Sequence, residues 1–283
     1  MDDFKSIIEL GQFYEEPFPH LIIPNFFSKA ECESAFKSIS ESEDYDDDVM
    51  GGRNRIVKGG TLFEEILNNS LPLREFYLHM NQEKTFNFLD YIFKQKMKNY
   101  QKPCYTFMDN GNCEFLPSHS SYSRDTRTSK PSSVAYGFLS RIKHELFKNF
   151  DYRSPRHIYF DCDFSISRKG YWREPHHDNP HRIINFILYF NTIQNDLGGA
   201  LEFFQYKKSN KVFLSRQPNV NHLELVKVLP PAAGTLVVFL STPRSIHGVS
   251  LLKGDSTRRA FSYGSFSLNG SVKWKRSSSS TSV

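Results

Sequence analysis

The chain has 283 residues, 39% of them apolar, and its 26 Phe and 14 Tyr supply bulky core material, which excludes a disordered protein. The formal charge of +5 is spread along the sequence with no block of five or more Lys and Arg, so it leaves no footprint for nucleic acid and reads as a mildly basic solvated surface. No run approaches the ~18 apolar residues of a membrane span. The opening MDDFKSIIEL is not a secretory leader, and the four cysteines form no CxxC pair. Reduced thiols in a cytoplasmic protein are therefore the expectation, ahead of a Cys104–Cys113 bridge or a zinc site.

Taken in order, PFPHLIIPNFF (Pro17 to Phe27) holds a short apolar strand. A helix should follow from Ser28, where Glu31 completes a capping box and Cys32, Ala35, Phe36 and Ile39 recur at helical spacing. The acidic run from Glu41 to Asp48 reads as a solvated loop, since it lacks the ligand spacing of a calcium loop. Thr61 to Tyr100 is helical in pattern and should be broken by Pro72 and Asn81 into two or three helices that support a sheet. Gln101 to Ser133 is turn-rich and reads as a long loop, a candidate substrate cover, before a further helix from Val134 to Phe150.

After Pro155 the pattern turns to strands. His157 to Ser167, the apolar run to Asn191, ALEFFQY after Gly198-Gly199, Lys211 to Leu214, Leu223 to Val228, Leu236 to Leu240, Ile246 to Leu252 and Ala260 to Leu268 are short strands separated by turn residues. They predict an α+β chain with a barrel or jelly-roll core at 155–268, carried by an N-terminal strand and helices at 17–150. Residues 1–270 would form one domain, followed by a disordered Ser-rich tail at 271–283.

The segment YWREPHHDNPHRIINFILYFN (Tyr171 to Asn191) carries the chemistry. His176 and Asp178 are two residues apart at the head of a buried strand, so they share a face, and a second histidine would complete a facial triad suited to non-haem Fe(II). The HxD spacing carries little weight alone, because ten histidines make about one chance match expected. His247, after PAAGTLVVFLSTPRS, is the best third ligand. Downstream, RRAFSYGSF offers a cation for an anionic cosubstrate, and one of Arg258 and Arg259 must face into the barrel. With Arg258, Ala260, Ser262 and Gly264 inward, one guanidinium would be followed by small side chains, and Arg259, Phe261 and Tyr263 would pack outward under helices.

HHDNPHRIINFILYFN, GGALEFF, PAAGTLVVF, HGV and RRAFS, in this order, resemble the core of the Fe(II)/2-oxoglutarate dioxygenases, most closely the prolyl 4-hydroxylase-like branch. The resemblance covers Ile158 to Leu268, and Pro17 to Ile39 loosely. It implies His176, Asp178 and His247 as iron ligands and Arg258 as the partner of the 2-oxoglutarate distal carboxylate, the longer gap after His247 leaving Arg259 as the alternative. It further implies Tyr189 as a hydrogen-bond partner of the same cosubstrate and Asn185 as a smaller polar position beside it.

The activity so implied is hydroxylation of a C–H bond with release of succinate and CO2, using Fe(II), 2-oxoglutarate and O2, with ascorbate as reductant. The substrate would be a prolyl residue of a peptide or protein, or else a small molecule such as an amino acid or sugar. A catalytically silent jelly-roll module and a metal-dependent hydrolase are the competing readings. Neither nucleic acid nor membrane is implied as a partner.

Overall fold

The strands Arg182–Tyr189 and Leu236–Leu240 in the second half of the chain are apolar on both faces, and the computed structural model gives each face its own partner. It describes residues 6, 8–41, 47–49, 52–97, 113–115, 156–207 and 216–268. The strands are β1 (Gln12–Tyr14), β2 (His20–Ile23), β3 (Asp47–Val49), β4 (Arg53–Val57), β5 (Cys113–Phe115), β6 (Arg156–Ser167), β7 (Arg173–His176), β8 (Arg182–Tyr189), β9 (Leu201–Tyr206), β10 (Leu223–Leu229), β11 (Leu236–Leu240), β12 (Ile246–Val249) and β13 (Arg259–Leu268). The larger sheet runs β1-β2-β11-β8-β13-β6-β4-β3, with β5 added parallel to β6; the smaller runs β10-β9-β12-β7. From β6 to β13 the chain crosses repeatedly between the sheets, which is the winding of a double-stranded β-helix.

Alternation divides the larger sheet's side chains into two sets. Phe160, Phe164, Ile166, Ile184, Phe186, Leu188, Leu236, Val238, Ala260 and Phe266 face the helices. Ile187, Tyr189, Val237, Phe239 and Phe261 point to the other side, where they meet Leu201 and Phe203 of the smaller sheet. That second set lines the barrel interior.

The helical layer is α1 (Lys29–Ser40), α2 (Thr61–Asn69), α3 (Leu71–Met80) and α4 (Glu83–Lys96). Ser28 caps α1 in a reciprocal box: its Oγ accepts from the Glu31 amide at 3.3 Å and its own amide donates to Glu31 Oε2 at 2.7 Å. Ser70 separates α2 from α3, where Pro72 sits in the first turn and costs no hydrogen bond. Aromatic pairs weld this layer to the sheet, Phe63 stacked on Phe164 at 5.0 Å and Phe86 against Phe266 at 5.4 Å.

Strand β4, which supplies Arg53 and Arg55 to the barrel, was not foreseen from its sequence RNRIV. Residues 113–115 of the expected loop form β5. The rest of that loop, the expected helix at 134–150, the strand at 211–214, the tail at 271–283 and Cys104 lie outside the described residues, as do residues 42–46 of the acidic loop. Cys32 and Cys162 are buried and form no disulfide among the described residues. Among the described residues no helix is long and apolar enough to cross a membrane.

Candidate metal centre

His176 ends β7 and His247 lies on β12 as its direct antiparallel partner, so both imidazoles stand on the inner face of the smaller sheet with ring centroids 4.5 Å apart. Asp178 follows β7 in the turn toward β8 and brings its Oδ2 to 3.7 Å from His247 Nε2. One ligand atom from each of the three side chains can be chosen so that all lie within 4.8 Å of one another, and all three residues are buried.

The hydrogen bonds select the tautomer. His176 Nδ1 faces the Glu174 carbonyl at 2.8 Å and His247 Nδ1 faces the Ser245 carbonyl at 3.0 Å. A carbonyl only accepts, so each Nδ1 carries the proton and each Nε2 is left with its lone pair. Burial, reinforced by the neighbouring His247, lowers His176 to about 3, and burial also lowers His247. For Asp178 burial pushes the pKa up, but Arg182, His247, His176 and the Tyr263 hydroxyl together hold it below the usual carboxylate range. Two neutral imidazoles beside an ionised carboxylate are the protonation states that a divalent ion requires. This mixed nitrogen and oxygen set, with ligands on one side, suits Fe(II).

Deeper in the same interior, Arg259 is 1% exposed and donates from Nη2 to the Tyr189 hydroxyl at 3.2 Å. Its guanidinium lies 4.2 Å from the Phe261 ring centroid. The sequence expectation was the reverse, and it is corrected here: Arg258 bonds through Nη1 to the carbonyls of Asp255 and Thr257, outside the barrel. The inward row of β13 is thus Arg259, Phe261 and Tyr263, while Ala260 joins the helix-facing core. The reason is space. A Cβ on Gly264 would stand 2.5 Å from Phe186 Cζ, so the small residues of β13 make room for the crowded helix side rather than for a cosubstrate. Asn191 sets the register at the strand's start, its amide donating to the Arg258 carbonyl at 2.6 Å and accepting from the Ala260 amide at 2.8 Å.

Asn185 is fully buried on β8, opposite Phe239 of β11 and Ser265 of β13. Among the described residues, neither of its side-chain polar atoms nor Arg259 Nε has a hydrogen-bond partner. Buried polar groups left unsatisfied are costly.

Residues 162–263 match the family model described as the 2OG-Fe(II) oxygenase superfamily. The matched stretch runs from within β6 to within β13. No curated protein matches the chain. Among solved structures, a prolyl-4-hydroxylase from Pseudomonas putida is 13% identical at a TM-score of 0.38, covering 94% of this chain and 100% of its own. HygX from Streptomyces hygroscopicus, solved with nickel and 2-oxoglutarate, is 12% identical at a TM-score of 0.45, covering 93% and 87%. A Trichoplax adhaerens prolyl hydroxylase, solved with a peptide fragment of the hypoxia inducible factor oxygen degradation domain, is 13% identical at 0.46, covering 94% and 90%.

Arg182, Tyr263, Arg53 and Asp163, which support this site, were not expected from the sequence. Arg182 follows Asp178 by four residues and contacts it, its Nη1 at 3.4 Å from Oδ1. That proximity in sequence was a usable signal; for Tyr263, 85 residues from Asp178, there was none.

Proposed function

We propose that the protein is an Fe(II)- and 2-oxoglutarate-dependent hydroxylase acting on a prolyl residue of a peptide or protein. The observation that carries the reading is the gathering of the His176, Asp178 and His247 ligand atoms within 4.8 Å, in a barrel whose interior also holds a buried Arg259 bonded to Tyr189. His176 and His247 would hold the metal through Nε2, and Asp178 through a carboxylate oxygen. When bound, iron with 2-oxoglutarate and O2 supplies the oxidative decarboxylation to succinate and CO2 that delivers one oxygen atom to a substrate C–H bond.

The chain's own part is binding and orientation. Arg259 offers a guanidinium fork to the distal carboxylate, and Nε–H, which has no partner among the described residues, is one of its prongs. Tyr189 accepts from Arg259, so its own proton is left for a carboxylate oxygen. Asn185 supplies both a donor and an acceptor within the same interior. Phe18, Ile187, Leu201, Phe203, Val237, Phe239 and Phe261 form an apolar wall around these groups, which strengthens every charged contact made there. A hydrolase would have no use for a buried Arg259–Tyr189 pair inside the barrel. The prolyl substrate rests on the likeness of the HxD, GGALEFF and RRAFS motifs to the prolyl 4-hydroxylase-like branch, and ascorbate is the expected reductant.

The test is direct. Purified protein with Fe(II), ascorbate and 2-oxoglutarate should form succinate, and proline-containing peptides should gain the mass of one oxygen. If the Mn(II)-loaded protein bound no 2-oxoglutarate in calorimetry, or if His176→Ala left succinate formation unchanged, the reading would be wrong.

A further inference from the structure

We propose that Tyr263 is a positioning residue for the metal, holding Asp178 through its hydroxyl so that the carboxylate meets the two imidazoles in one orientation. The inference rests on the metal-centre reading above and adds to it a residue outside the ligand set.

Asp178 lies beyond the end of β7, in the turn that leads to β8, where no strand ladder constrains its side chain. A carboxylate there could turn about χ1 and χ2, and a metal would then have to order it on binding. Both oxygens are instead engaged: Tyr263 Oη donates to Oδ2 at 2.8 Å and Arg182 Nη1 approaches Oδ1 at 3.4 Å. Arg182 also hydrogen-bonds the Tyr263 hydroxyl. Oδ2, the oxygen that Tyr263 grips, is the one that faces His247 Nε2.

Tyr263 can impose an orientation only if it is itself held. Two guanidiniums lie against its ring, Arg182 Cζ at 4.7 Å and Arg53 Cζ at 5.6 Å from the centroid. Arg53 is tied to Asp163 Oδ1 at 2.7 Å and to Ser165 Oγ at 3.1 Å, and Arg55 shares Asp163 from the other side, its Nε at 3.1 Å from Oδ2. The support therefore runs from β4 through β6 to the β13 ring and ends on the ligand carboxylate. Partners behind metal ligands commonly govern affinity by 10–100-fold, roughly, because they fix the ligand before the ion arrives.

Tyrosine is also the informative residue to change, since Tyr263→Phe keeps the stacked ring, removes one hydroxyl and alters no charge. The experiment uses the full chain: Mn(II) binding by calorimetry, the visible spectrum of the Co(II)-loaded protein, and the melting temperature without metal, for wild type, Tyr263→Phe and Arg182→Lys. The expected result for Tyr263→Phe is a metal-free melting temperature close to wild type, Mn(II) affinity weaker by about 10-fold or more, and a changed Co(II) spectrum. Should Tyr263→Phe fail to fold, Arg182→Lys, which keeps the charge but loses the planar stack on Tyr263, should itself bind Mn(II) several-fold more weakly. Wild-type affinity with an unaltered Co(II) spectrum in the folded variants would overturn the proposal while leaving the metal centre standing. Absence of Mn(II) binding by the wild type would overturn both.

Discussion

Arg259 and Tyr189, seventy residues apart, meet inside the barrel with Nη2 at 3.2 Å from the phenolic oxygen. Their contact joins β13 to β8 at a point where both side chains are almost wholly buried. A buried guanidinium beside a neutral hydroxyl, its Nε without a partner among the described residues, retains most of its capacity to hold an anion.

Arg259→Ala should therefore weaken 2-oxoglutarate binding by roughly 10–100-fold, the loss expected for a charge-assisted hydrogen bond worth about 1.5–3 kcal/mol. Arg258→Ala should bind the cosubstrate as the wild type does. Calorimetric titration of both variants in the presence of Mn(II) checks this, and equal losses in the two would refute the assignment of the inward arginine.

Gly199 guards the same arginine. Its φ is +72°, and a Cβ there would lie 2.8 Å from Leu252 Cδ1 and 3.3 Å from Arg259 Cδ. Gly199→Val should cost about 1–2 kcal/mol from the backbone conformation alone. It should also displace Arg259, so 2-oxoglutarate affinity falls while Mn(II) affinity changes little. Parallel titrations with the two ligands separate these effects.

Metal should stabilise the fold through its ligands. At a hundred times its dissociation constant, Mn(II) adds about 2.7 kcal/mol, visible as a rise in melting temperature that a chelator reverses. His176→Ala should abolish the rise.

Stability should also fall with acid, and His20 provides a reporter away from the metal centre. Its Nδ1 donates to the Phe18 carbonyl at 2.8 Å and its Nε2 accepts from Lys227 Nζ at 3.0 Å. Burial lowers His20 to about 4, opposed by the Phe18 carbonyl and aided by Lys227. A folded-state value below the ordinary 6.5 means that the unfolded chain takes up the proton first. The stabilisation is complete above about pH 6.5 and drains away as pH falls toward 4, on the order of 3 kcal/mol in all. Denaturant melts between pH 7.5 and 4.5 should show a shallower decline for His20→Gln than for wild type. Identical slopes would dismiss the role of His20.

Much of this architecture is legible in the linear chain. The capping box at Ser28, the helix breaks near Pro72 and Asn81, and the strand Leu236–Leu240 follow from local chemistry, because caps, prolines and apolar runs act over a few residues. His176 and Asp178 could be paired from their spacing on a strand end, and His247 from its place in the strand series. Strand β4 was hidden, since its half-buried arginines show no apolar alternation and gain their meaning only from Asp163, more than a hundred residues away.

By itself the amino-acid order determined the class of fold, the three candidate metal ligands and the presence of an arginine near the start of β13. The tertiary structure alone decided which arginine enters the barrel. Alternation distinguishes two faces of a strand, but β13 is buried on both, so no contrast between polar and apolar neighbours marks the inner one. The crowding of Phe186 against Gly264 breaks that tie. In doing so it turns Arg259 toward Tyr189, and Tyr263 toward Asp178.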